Sequence, residues 1–104
     1  MNGQAKIDFE KWLKLNHGYD FTMTTYLKEV MLNALIIEWF DTIGTWILIN
    51  PVDNKDDWFF QILEEDLMSP FFEVFISDAD FRNRQQATEK AIEKAIILYN
   101  EKFK

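Results

Sequence analysis

Cysteine is absent from the 104-residue chain. Disulfides, thiol catalysis, iron–sulfur clusters and zinc–thiolate sites are therefore excluded. Glycine is scarce: Gly3, Gly18 and Gly44 lie too far apart to build a phosphate-cradling loop. Only two prolines add to these breakers, so loops should be few. The single histidine, His17, cannot make a His-based metal site, and beside Gly18 it reads as a helix-end residue. The only serines, Ser69 and Ser77, form no Ser–His–acid constellation with it. Apolar runs stop at four or five residues. That is far short of the roughly 20 needed to span a bilayer. The N-terminal stretch lacks the basic start and apolar core of a secretory signal. A soluble, cytoplasmic protein is expected.

What the chain does have is apolar mass. It is 48% hydrophobic, with ten Phe, four Trp and three Tyr. That suits one folded domain over residues 1–104 with a core of its own. Its formal net charge of −7 is unevenly spread. Residues 53–80 hold nine acids against one lysine, Lys55, whereas residues 81–104 hold six basic and three acidic side chains. An acidic middle argues against direct nucleic-acid binding, which needs a basic footprint. It favours a protein partner with a basic surface, such as one that itself binds nucleic acid.

Periodicity predicts the elements. Phe9, Trp12 and Leu13 share one face of a short helix that Gly18 should stop. Met23, Tyr26, Leu27, Val30, Met31 and Ala34 follow helical spacing. Residues 34–40 are β-branched and aromatic, and a turn signal over Asp41–Gly44 follows them, so they read as the first strand of a hairpin. Further strands are expected over 45–50, 58–63 and 71–76. Asn83 with Gln86 has the form of a capping box and opens a helix from Arg84 to about Lys102. The prediction is an α+β domain: a four-stranded antiparallel meander sheet, two short N-terminal helices, and a long C-terminal helix packed on the sheet.

Alternation then assigns faces. Leu35, Ile37, Trp39, Trp46, Leu48, Trp58, Phe60, Ile62, Phe72, Val74 and Ile76 form an apolar set, expected under the C-terminal helix. The opposite set includes Glu38, Phe40, Ile47, Ile49, Phe59, Gln61, Phe71, Glu73 and Phe75, with polar residues between large apolar ones. Such a face should be partly covered, by the N-terminal helices or by another molecule.

Chemical sites are weakly signalled. Asp53, Asp56 and Asp57 begin like a calcium loop, but Lys55 and Trp58 occupy positions that need an oxygen ligand and a glycine. Glu38 and Glu73 would share a sheet face as a carboxylate pair, yet little loop length remains to shape a cleft. No catalytic residue, cofactor or metal is assigned. The partner-binding candidates are Asp53, Asp56, Asp57, Glu64, Glu65 and Asp66, as a negative rim, with Phe59, Phe71, Phe75 and Glu73 on an aromatic face. Acidic strand ends that merely keep an aromatic strand in solution are the simpler alternative.

Two segments, "IIEWFDTIG" and "RNRQQATEKAIEKAIILYNEKF", resemble a loose class of small acidic accessory proteins of bacterial phages and integrated elements. The shared features are a Phe-Asp-Thr-x-Gly turn (Phe40, Asp41, Thr42, Gly44) and a helix opening on Arg84, Gln85 and Ala87. The resemblance implies a non-enzymatic inhibitor of a host defence nuclease, as anti-CRISPR proteins are. The alternative is a self-associating accessory domain, with its second sheet face buried against its own copy as a homodimer. A small hydrolase or metal-binding protein is the third reading.

Overall fold

A computed structural model describes residues 1–18, 29–52, 57–65 and 72–103. Helix α1 spans Gly3–His17, α2 Glu29–Thr42 and α3 Arg84–Lys102. Strands β1 (Thr45–Pro51), β2 (Trp58–Glu64) and β3 (Phe72–Ile76) form one antiparallel sheet in the order β1-β2-β3. The sheet thus has three strands, and the expected fourth, residues 34–40, is the C-terminal part of α2. Strand-like composition was outweighed there by the helical spacing of the residues that reach the core. Ile36, Trp39 and Phe40 are buried, three and four positions apart on one helical face. Of the expected turn over Asp41–Gly44, Asp41 and Thr42 close α2, and Ile43 and Gly44 alone form the turn that joins this helix to β1. Gly44 takes φ +82°, the left-handed region that favours glycine, and its N–H reaches Asp41 O at 3.3 Å.

Helix α1 buries Ala5, Phe9 and Leu13 and ends at Gly18, whose left-handed backbone (φ +70°) brings its N–H to Leu13 O. Its start is capped from the far end of the chain. The Asn2 side chain makes no capping bond to the helix. Instead Asn100 Oδ1 accepts the Ala5 N–H at 2.8 Å, and Asn100 Nδ2 donates to Asn2 O at 3.0 Å and Asn2 Oδ1 at 2.9 Å. An orphan helix donor is satisfied across 95 residues. Asn100→Ala should therefore lower stability by about 1–2 kcal/mol, the size of a lost N-cap, read as a drop in the urea midpoint.

One residue earlier, the Tyr99 hydroxyl donates to Asp8 Oδ2 at 2.5 Å. Burial, helped by that hydrogen bond and by the Asp8 charge, pushes the Tyr99 hydroxyl up to about 12 from its ordinary value of 10.0. The folded state therefore holds this proton longer than the unfolded chain. The contribution is complete below pH 10 and is lost as pH rises from there towards about 12. A melting-temperature series over that range should fall more steeply for the native chain than for Tyr99→Phe.

Helix α3 takes the expected span. Asn83 Oδ1 accepts the Gln86 N–H at 2.8 Å, while the Gln86 side chain accepts from Arg82 N at 3.0 Å and not from Asn83. Ala87, Ala91, Ile92, Ala95 and Ile96 are buried, because α3 packs on β1 and β2 and also on α1 and α2. The layers run from the sheet, through α2 and α3, to α1. An aromatic chain ties the three helices: Phe9 lies 5.8 Å from Trp39, and Trp39 lies 5.1 Å from Tyr99, ring centre to ring centre.

The register corrects two strand faces. In β2, Phe60 and Ile62 point to the core as expected. Across from them stand Ile49 and Ile47, so Ile47 is buried and Trp46 and Leu48 face outward, the reverse of the expected parity. In β1 both alternating sets are apolar, so alternation alone could not choose between them; the pairing with β2 does. In β3 the register slips at Ile62/Leu63: Phe75 pairs with Ile62, and Glu73 with Leu63. Val74 is the extra residue of a β-bulge, and Val74 and Phe75 both pack on the core. Phe75 stacks on Phe60 at 5.5 Å. Ile76, expected inside, is 51% exposed.

Candidate functional site

The sheet carries its helices on one side. On the other side the register collects Trp46 and Leu48 from β1, Phe59 and Leu63 from β2, and Ile76 from β3. Leu48 is 40% exposed, and Trp46, Phe59 and Leu63 are half-buried. Among the described residues no helix packs on this face; α1 lies beyond α2 and α3. The apolar residues belong there because strand alternation leaves each of them opposite a core position.

A polar diagonal crosses the face. Asn50 Nδ2 donates to Gln61 Oε1 at 3.0 Å, and Gln61 Nε2 donates to Glu73 Oε2 at 2.8 Å. Every strand contributes one member. The direction is fixed by chemistry: a carboxylate only accepts, so Gln61 must turn its amide nitrogen to Glu73 and its oxygen to Asn50. Both amide dipoles thus point their positive ends at the Glu73 carboxylate, which is exposed. Trp46, Leu48 and Leu63 lie on one side of the diagonal, Phe59 and Ile76 on the other. The face is an apolar plate with a braced anion, able to accept further bonds from an ammonium or guanidinium.

The expected site residues divide. Phe59 and Glu73 are on this face. Phe75 and Phe40 are not: both lie on the helix side, Phe40 at 1% exposure on α2 and Phe75 under Lys94, whose Nζ sits 4.7 Å above its ring. Asp57 precedes β2, Glu64 ends it and Glu65 follows it. At ~3.3 Å per residue the two acidic ends are about 23 Å apart, so these residues form a rim and not one patch. Glu64 is also engaged, with Lys102 Nζ 3.4 Å from its Oε2. Asp53, Asp56, Asp66 and Phe71 lie outside the described residues. The Glu38–Glu73 carboxylate pair is not formed: Glu38 stands on α2, 3.6 Å from His17, and Glu73 on the open sheet face. No group of three metal-ligating side chains occurs among the described residues, and no described helix is long and apolar enough to cross a membrane.

Sequence reasoning missed Trp46, Leu48, Ile76 and Asn50. The available signal was the hairpin itself: Pro51 opposite Trp58 fixes β1 against β2, and the parity of Phe60 and Ile62 then places Trp46 outside. A scan against protein-family models and searches of curated proteins and of solved structures returned no match.

Proposed function

We propose that this chain is a non-enzymatic protein-binding domain that docks its open sheet face onto a partner with a basic surface. The observation that carries the reading is the face itself: Leu48, Phe59, Leu63 and Ile76 around a carboxylate braced by Gln61 and Asn50, on the side of the sheet that no described helix covers. Burial of the aromatic and aliphatic plate supplies affinity. Glu73 and the acids at both ends of β2 supply steering and orientation. A partner lysine or arginine meets Glu73 at the centre, where water is excluded and a charge-assisted bond is strongest. Nucleic-acid-binding proteins carry such basic surfaces. The resemblance to phage accessory proteins supports the narrower reading, an antagonist that occupies the nucleic-acid channel of a host defence nuclease.

Self-association through the same face is the weaker reading. Nine acids against one lysine in residues 53–80 would bring like charges together in a two-fold contact.

The test is capture of host nucleic-acid-binding proteins by the native chain, by Phe59→Asp and by Glu73→Lys, followed by cleavage assays on the captured nuclease. The reading expects capture and inhibition by the native chain and loss of both in the two folded variants. Equal capture by all three chains would remove the sheet face from the mechanism.

A further inference from the structure

A cavity of about 140 Å³ lies at the opposite side of the sheet, where α2 and α3 end beside the start of β1 and the end of β2. Phe40, Ile62, Ala95, Leu98, Tyr99 and Phe103 form its apolar walls. Ile43, Lys102 and Phe103, all well exposed, also border it, so it opens to solvent between them. Protein interiors are close-packed, and voids larger than a water are few. An apolar cavity of about 150 Å³ is enough to take up benzene. Ala95 presents only a methyl group to it, in line with Ala87 and Ala91 along the buried face of α3.

Apart from Lys102, the charges around the cavity are negative. Helices α2 and α3 both bring their C-terminal, negative ends to it. The last turn of α2 has no basic residue to offset that field, and the last turn of α3 has only Lys102. Glu64 lines the cavity with a side chain only 22% exposed, and its partner Lys102 is 59% exposed and reaches it at 3.4 Å. An exposed pair of that kind contributes little and exchanges readily.

We propose that this cavity binds a small organic ammonium: an apolar, ring-sized body among the aromatic walls, and a positive head group that replaces Lys102 on Glu64. An anion is disfavoured by two helix ends and a carboxylate. A purely apolar molecule would leave the carboxylate unused. The site is separate from the open sheet face and does not depend on the reading of that face.

Titration of the full chain with benzylammonium, toluene and benzoate, followed by backbone amide NMR, tests the proposal. Benzylammonium should bind about tenfold more tightly than toluene, the size of one charge-assisted hydrogen bond, and should shift the amides of Ala95, Leu98 and Phe103. Benzoate should bind more weakly than either. Glu64→Gln should reduce benzylammonium to the level of toluene, whereas Lys102→Met should tighten it by removing its competitor. Ala95→Val should weaken every probe by narrowing the cavity. The native chain alone is decisive: no binding of benzylammonium at millimolar concentration, or equal binding of benzoate, overturns the proposal. So does a preference for the cation that survives Glu64→Gln.

Discussion

Phe40→Ala will be destabilised by about 3–5 kcal/mol, the range for deleting a buried aromatic side chain. Phe40 is 1% exposed, its ring lies 4.7 Å from Trp39 and 6.3 Å from Tyr99, and it joins α2 to α3 at the centre of the core. Its removal forfeits the transfer of the ring from water and opens a cavity that the aromatic neighbours can only partly fill. Domains of this class have roughly 5–15 kcal/mol in total, so the variant should retain a native state only narrowly. Urea unfolding will show a lowered midpoint at an unchanged slope. The result discriminates between two placements. On an exposed strand face, the same change would stay within about 0.5 kcal/mol. A small effect would mean that residues 34–40 do not form the helix described.

On the proposed function, Phe59→Asp will leave the fold intact and cost the partner complex about 2 kcal/mol or more, roughly a thirtyfold loss of affinity. Phe59 is half-buried on the open face, and its neighbour across the hairpin is Asn50 at the strand end. A carboxylate there can remain hydrated in the free protein, so thermal stability should fall little. In the complex it would be desolvated beneath an apolar surface without a partner. The adjacent change Phe60→Asp is the control. Phe60 is 3% exposed and stacks with Phe75 and Phe81, so that chain should not fold. Binding lost in Phe59→Asp at native-like circular dichroism isolates the face. Binding retained there would move the interface elsewhere.

The parts of the fold that were legible are those in which local signals agree. Helix α3 has a cap, a long helical period and no competing reading, and its span came out as expected. Gly18 ended α1 for the conformational reason that glycine supplies. Residues 34–40 misled because Ile, Trp and Phe fit both a strand and a buried helix, and only long-range packing against α1 and α3 decides between them. The faces of β1 were illegible for a related reason: Trp46 and Leu48 are as apolar as Ile47 and Ile49. The candidate site was half legible. Phe59 and Glu73 were placed correctly because β2 alternates cleanly and Glu73 cannot be buried unpaired. Phe75 was misplaced by a bulge that no composition announces, and the Asn50–Gln61–Glu73 diagonal needs three strands in register before it exists at all.

That bulge has a consequence for life at high concentration. β3 is an outer strand of the sheet, and a flat outer strand next to an apolar face is a template for stacking of further chains into fibrils. The extra residue at Val74 bends the strand, increases its twist and breaks its ladder after two paired residues on either side. A second strand approaching that edge finds no straight row of donors and acceptors to extend. At its β3 edge the sheet therefore resists extension by further strands, even beside an apolar face.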